Sequence, residues 1–388
     1  MSFDLTADQH MLIDNARRYF VDEFRPLERR MDEEAWMPPD AFRRLGEMGF
    51  LGITIPESHG GSGLGYLTAG LILEALAEAN PSIAWSAVAH GNLCLDNIHR
   101  NADDEQRARF VPGLCSGELI GGLAMTEPGA GSDAIGSMAT RAVRDGDDYV
   151  INGSKTFISN GPIANVLLLY AKTDPAAGSR GVSAFIVETD TPGFTVARKL
   201  DKMGWRGSPL GELVFDDMRV PARNRLGAEN GGIRVMMSGL DVERAISAPL
   251  STGTARRALE LSIDYAQNRR QFGAPIASFQ LIQAKIADMY MRLEAARALM
   301  MRTLSAFDAM DDPGDAGRGE VHMLAAAAVH EAARAASFVM DEAAQIHGGN
   351  SYMQDTEINR LYRTAKIMEI AAGTQEIRKL IVAGELLK

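Results

Sequence analysis

Proton abstraction needs a carboxylate, and the stretch "MSGLDVERAISAP" (237–249) places two beside a cation, Asp241, Glu243 and Arg244. On an α-helix Asp241 and Arg244 share a face, while Glu243 projects about 100° from Arg244. Pro249 follows, and its ring opposes the carbonyl of Ala245, so a bend is expected one turn beyond Glu243. Taken alone, a D-x-E-R run is also the pattern of a solvated helical face.

Other stretches offer binding groups rather than acid–base groups. In "TEPGAGSD" (126–133), Gly129 and Gly131 let main-chain N–H groups approach a ligand, and Thr126 and Ser132 add hydroxyls. "KTFISNG" sets the aromatic ring of Phe157 beside Ser159 and Asn160, which suits a planar heterocycle. "NRRQFG" puts Arg269 and Arg270 at a helix end, where arginines commonly serve the helix dipole. "QIHGG" adds Gln345 and two glycines with open backbone. Finally, "IMEIAAGTQEIRKL" (367–380) interrupts a helical pattern with Ala371-Ala372-Gly373-Thr374, where glycine ends one helix and threonine caps the next. Small side chains there leave a notch.

Several chemistries are excluded by pattern. Seven histidines are scattered without an HExxH or a Cys/His quartet, so no zinc site is expected, and His322 and His330 read as satisfied or surface residues. There is no GxSxG nucleophile elbow, and neither glycine cluster fits GxGxxG or lies in a βαβ unit. A net charge of −11 disfavours nucleic acid or an anionic membrane as partner. Only Cys94 and Cys115 are present, which suits a reducing compartment. The N-terminus carries Asp4 and Asp8 rather than a signal-peptide pattern, and no run approaches the roughly 18 apolar residues of a membrane span. The expectation is a soluble cytoplasmic protein with no membrane insertion.

The elements that must position these groups fall into three regions. Residues 1–120 repeat apolar positions at helical spacing, with "ESHGGSGLGY" as a loop. Residues 121–228 hold short β-branched and aromatic runs without intervening helices, which predicts an antiparallel barrel or sandwich, and Asn152-Gly153 predicts a hairpin turn. Residues 229–388 are Ala-, Leu- and Met-rich helices with short connections, a bundle, separated once by the solvated loop "DAMDDPGDAGRGE".

Taken together, the motifs resemble the acyl-CoA dehydrogenase family over essentially the whole chain. "PESHGGSGLGY", "LAMTEPGAGSD", "RRQFGAPIASFQ", "QIHGGNSYM" and "GTQEIRKLIVAGEL" are each similar to its signature segments. The resemblance implies an α+β fold with an N-terminal helical domain, a central antiparallel β-barrel domain and a C-terminal four-helix bundle. It implies FAD bound between the β domain and the C-terminal helices, completed by a neighbouring subunit of a homotetramer. Leu123, Ala124, Met125, Thr126, Gly131, Ser132, Phe157, Ile158 and Ser159 would line the flavin. Arg269, Gln280, Gln345, Ile346, His347, Gly348 and Gly349 would come from the adjacent protomer, and Thr374, Gln375 and Glu376 from the first. The implied reaction is α,β-dehydrogenation of an acyl-CoA to the trans-2-enoyl-CoA, with electrons passing to electron-transferring flavoprotein.

One departure carries the substrate expectation. Most of the family places its glutamate base in the notch, in a segment reading YEGT, whereas this chain has Ala371-Ala372-Gly373-Thr374. In the isovaleryl-CoA dehydrogenase branch a glutamate from the helix at the start of the C-terminal region, here carrying "LDVER", serves instead, and "LDVER" and "AHGNLCLDNIHRN" resemble that branch. Glu243 is therefore expected to be the base, with the Ala372 N–H bonding the thioester oxygen. Ser132, Asp241, Arg244, Ala371 and Gly373 are expected around the substrate. The methyl group of Ala371 leaves lateral room, pointing to a 3-methyl-branched thioester of isovaleryl or citronellyl type. An oxygen-using flavin oxidase or monooxygenase, a straight-chain dehydrogenase and a non-catalytic binder remain as alternatives.

Overall fold

The computed structural model describes residues 5–311 and 318–388. Asp4, and residues 312–317 of the expected solvated loop, lie outside the described residues.

Among the described residues, seven α-helices form the N-terminal part: α1 (Ala7–Glu23), α2 (Glu28–Glu34), α3 (Ala41–Glu47), α4 (Tyr66–Ala79), α5 (Pro81–His90), α6 (Asn97–Asn101) and α7 (Asp104–Ser116). Capping boxes start α1 and α7, where Thr6 pairs reciprocally with Gln9 and Asp103 with Gln106. Helix α4 is buried on nearly every side, as its continuous apolar sequence requires. Its one fully buried acid, Glu74, accepts from Thr252 Oγ1 at 2.7 Å and Arg297 Nε at 3.0 Å, so the helix is tied to the C-terminal bundle by satisfied polar contacts. Residues Gly91–Asp96 between α5 and α6 form a π-helical turn.

The middle part contains β1 (Gly121–Ala124), β2 (Arg141–Asp145), β3 (Asp148–Ser159), β4 (Val166–Lys172), β5 (Val182–Glu188), β6 (Phe194–Lys199), β7 (Leu210–Pro221) and β8 (Arg225–Leu226). The sheet path is β6-β7-β3-β2-β4-β5-β8, with β1 added on β4. Most pairings are antiparallel as expected, but β1–β4 and β2–β4 are parallel, so the sheet is mixed. Strands β4 and β5 bury both faces: Leu168 and Ile186 pack against the helices, while Leu169 and Phe185 fill the sheet's own core. That double burial explains their unbroken apolar sequences.

The hairpin expected at Asn152-Gly153 is not there. Strand β3 runs straight through it, and the register against β7 shifts between Ile151 and Gly153, a bulge. Asn152 instead clamps Asp217 across the strands, donating from Nδ2 at 2.9 Å and accepting its N–H at 2.8 Å. The turn falls earlier, at Gly146-Asp147 between the paired residues Asp145 and Asp148, where Gly146 adopts a φ of 62°.

The C-terminal part comprises α8 (Gly232–Asn268), the short pair β9 (Arg270–Gln271) and β10 (Ala274–Pro275), α9 (Gln280–Asp308), α10 (Glu320–His347), α11 (Glu357–Ala365) and α12 (Gln375–Leu386). Helix α10 packs on α8, α9 and α12. Its alanines, among them Ala328, Ala332 and Ala336, are almost fully buried and let the helices approach closely. Helix α8 is not broken by Pro249. The ring lies against α4 at Gly70, where any side chain would meet it, so packing compensates the lost helical hydrogen bond. Arg360–Glu28 and Arg363–Asp32 join α11 to α2.

Candidate active site

Glu243 sits in the N-terminal third of α8 and is 7% exposed. It makes no hydrogen bond or ion pair among the described residues. Burial pushes its carboxyl up to about 7, against the opposing pull of Arg244 and Arg378. A buried acid without a partner is costly to keep, and a value near neutrality is what a general base needs.

Asp241 does not join it. Both its oxygens lie 2.8 Å from His322 Nδ1 on α10, and Oδ1 also accepts from Arg244 Nη1 at 2.7 Å. The Asp241 carboxylate orients Arg244 and docks α8 on α10, so it would shape the expected thioester end through Arg244. Arg244 keeps a buried Nε without a hydrogen-bond partner. Across from α8, Tyr170 on β4 is fully buried, and burial, with a smaller push from Glu243, raises the pKa of its hydroxyl.

The notch is a left-handed turn. Ala372 has a φ of 57° and Gly373 of 85°, after which Thr374 caps α12 by accepting the Ile377 N–H at 3.4 Å. The Ala372 N–H has no hydrogen-bond partner among the described residues. Arg378, from the first turn of α12, donates to the carbonyls of Met368, at 2.8 Å, and Ala371. Sequence reading missed Arg378 because an arginine in a polar-looking helix start gives no sign that it will be fully buried.

On the β domain, Phe157 is 64% exposed with a φ of 58°, an aromatic ring held out on a strained backbone. Ser159 Oγ accepts the indole N–H of Trp85 at 2.8 Å, and Trp85 stacks on Trp205 with centroids 4.6 Å apart. Leu123, Met125 and Thr126 are half-buried, while Gly131 and Ser132 are exposed. Ala124 and Ile158 point into the sheet core, so only their backbones can face a ligand. Asn160 is likewise no ligand group: it is fully buried, and its Nδ2 donates to Ser86 and Gly121 carbonyls. The turn at 126–133 is anchored by a pair the sequence did not reveal. Glu127 accepts from Lys155 Nζ at 2.8 Å and from the Ala139 and Thr140 N–H groups.

A second group gathers at the far end of the bundle. Arg269, Gln280, Gln345, Gly348 and Gly349 are all exposed there. His347 stacks on Tyr265 at 4.4 Å and engages the Ala343 carbonyl through Nδ1. The Ile346 side chain belongs to the helical core, so only its backbone can face a ligand.

The residues suit a flavin dinucleotide. A Cβ built on Gly129, Gly131, Gly348 or Gly349 meets nothing within 4 Å, so these backbones border open space. Beside Thr374, the buried Nε2 of Gln375 has no hydrogen-bond partner and Glu376 is exposed. Among the described residues no cluster of three metal-ligating side chains occurs, and no helix is long and apolar enough to cross a membrane.

Comparison with known proteins accounts for the arrangement. Residues 6–118, 122–218 and 230–387 match the N-terminal, middle and C-terminal domains of acyl-CoA dehydrogenase. The chain is 42% identical over 385 residues to an isovaleryl-CoA dehydrogenase, mitochondrial, of Pongo abelii, covering 97% of this chain and 88% of the relative. It is 41% identical to a 2-methylacyl-CoA dehydrogenase, mitochondrial, of Solanum tuberosum, with 99% and 92% covered. The solved butyryl-CoA dehydrogenase of Megasphaera elsdenii superposes with a TM-score of 0.94 at 35% identity, covering 100% of both chains. The chain belongs to the acyl-CoA dehydrogenase family, FAD-dependent oxidoreductases that act on the CH–CH group of acyl-CoA thioesters.

Proposed function

We propose that the protein dehydrogenates a 3-methyl-branched acyl-CoA, of isovaleryl type or a longer citronellyl homologue, with Glu243 as the base. The observation that carries this reading is the buried, unpartnered carboxylate of Glu243 in a chain whose notch holds only Ala371, Ala372 and Gly373. Glu243 takes the α-proton. The electron pair of that C–H bond becomes the Cα=Cβ bond as the β-hydrogen leaves with its own pair. FAD, when bound, supplies the two-electron acceptor for that hydride. The free N–H of Ala372 bonds the thioester oxygen, which stabilises enolate character at the α-carbon. Phe157, Ser159 and Thr126 border the flavin ring. The exposed set around Arg269 and Gln345 serves the cofactor of a neighbouring subunit in a homotetramer.

The small side chain of Ala371 leaves lateral space for a branch at the β-carbon, and relatives named for isovaleryl-CoA share about two-fifths of the sequence. Electron-transferring flavoprotein is the acceptor that family membership favours. The buried thiols of Cys94 and Cys115 suit a cytoplasmic location. Anaerobic mixing with isovaleryl-, citronellyl- and butyryl-CoA tests the reading. Bleaching of the oxidised flavin by a branched thioester ahead of butyryl-CoA, with slow reoxidation in air, is expected. Preference for butyryl-CoA rejects the branched assignment, rapid reoxidation by oxygen favours an oxidase, and no bleaching by any of them rejects the reaction.

A further inference from the structure

Arg378 is the largest fully buried side chain among the described residues. Its place is unfavourable on two counts. A guanidinium removed from water normally takes a carboxylate partner, and Arg378 has none at ion-pair distance among the described residues. It also lies in the first turn of α12, where the helix dipole opposes a cation. Stability alone does not account for an arginine here.

Its contacts show what the cation is used for. Two of its donors converge on the carbonyls of Met368 and Ala371, one at the end of the turn entering the notch and one immediately before Ala372. The fork therefore grips the backbone just ahead of the left-handed pair Ala372 and Gly373, a shape that an alanine disfavours by itself. Its Nε is buried without a hydrogen-bond partner among the described residues. Of the charged groups facing Glu243, Arg244 exerts the larger pull but is also ion-paired to Asp241, which His322 contacts as well. Tyr170 approaches from β4 as a neutral phenol, and Glu369, nearer Arg378, is taken by Lys366 and Ser337. Arg378 is left as the cation with no carboxylate of its own.

We propose that Arg378 is a positioning residue for the dehydrogenation: its fork fixes the turn that presents the Ala372 N–H, and its charge holds the carboxylate of Glu243 ready to accept a proton. This rests on the reading of Glu243 as the base. Arg244 and, more weakly, Arg378 favour the charged form of Glu243, and Glu243 favours that of Arg378. Arg378 thus does from α12 what a hydrogen-bond partner on Glu243 would do at the expense of its basicity.

The test compares the FAD-loaded wild type with Arg378→Lys and Arg378→Gln by two readouts. Infrared difference titration follows the protonated carboxyl of Glu243, identified by its loss in Glu243→Gln. Anaerobic stopped flow follows flavin reduction against pH. Arg378→Gln is expected to move the carboxyl midpoint, and the acid limb of reduction, upward by about one pH unit. Arg378→Lys keeps the charge and the midpoint but loses the fork, and its reduction rate at high pH falls about tenfold. An unmoved midpoint in folded Arg378→Gln overturns the proposal. So does Arg378→Lys with an unchanged rate, a result that decides even if the glutamine variant fails to fold. If no thioester reduces the wild type, the functional reading fails, while the infrared titration still decides whether Arg378 governs Glu243.

Discussion

Glu243 and Arg378 are buried opposite charges that shift each other's ionisation without forming an ion pair. A closed salt bridge would quench the basicity of the glutamate, whereas two isolated charges would be too costly to bury. The arrangement lies between these extremes, and the behaviour of Glu243 follows from it.

Replacing Glu243 by Gln removes the base and preserves its shape. Flavin reduction by the preferred thioester should fall by about 10²–10⁴-fold, the usual contribution of general base catalysis, while thioester affinity changes little. Rapid-mixing rates beside an equilibrium titration check both halves.

The raised pKa of Glu243 predicts opposite effects of pH on rate and on stability. Reduction should be half-maximal near pH 7 and fall about tenfold for each unit of further acidification, because the protonated acid is no base. For stability, the folded protein holds this proton more tightly than the unfolded chain does. The contribution is therefore fully present below the ordinary glutamate value and is lost as pH rises through about 7. Glu243→Gln should accordingly be more stable than wild type at pH 8, by on the order of 3 kcal/mol, and nearly equal to it near pH 4.5. Denaturant unfolding at the two pH values measures the difference.

Ala371→Tyr should fill the lateral space beside the β-carbon. The kcat/KM for a 3-methyl-branched thioester should drop at least about tenfold relative to butyryl-CoA, the discrimination that a steric pocket supplies. Equal losses on both substrates would mean that Ala371 only lets helices pack.

Lys155→Met should be among the most destabilising single changes in the β domain. Lys155 is fully buried, and burial pulls its ammonium down to about 8 despite Glu127 beside it. Without it Glu127 is left buried beside Met125, whose carbonyl also loses a donor at 3.0 Å. A loss of about 3–5 kcal/mol is expected, with weaker FAD retention because the 126–133 turn is released. Thermal unfolding and flavin release on dilution read the two effects.

Trp85→Phe keeps the ring stack on Trp205 but removes the donor to Ser159. A cost of about 1 kcal/mol is expected, with a shifted flavin absorption band as the freed hydroxyl reorients. An unchanged spectrum would place Ser159 away from the flavin.

The order of helices, strands and helices was legible because each carries its own period: Phe20 and Phe24 on α1, Leu304 and Phe307 on α9. The glycine and hydroxyl motifs were legible too, since Gly129 and Thr374 act through local backbone geometry. Reading failed where a residue's meaning depends on a distant partner. Asn152-Gly153 has the local chemistry of a hairpin, yet Asp217, far along the chain, draws Asn152 into a bulge.

The sequence by itself determined the three-part architecture, the absence of a notch carboxylate and the candidacy of Glu243, because composition, period and residue identity are properties of the chain. Only the tertiary structure decided what surrounds that carboxylate. Asp241 is shared by Arg244 and His322, Arg378 has no carboxylate at ion-pair distance among the described residues, and burial brings the Glu243 carboxyl near neutrality against the pull of both arginines. Desolvation and long-range charge depend on where segments more than a hundred residues apart come to rest, and no local pattern encodes that.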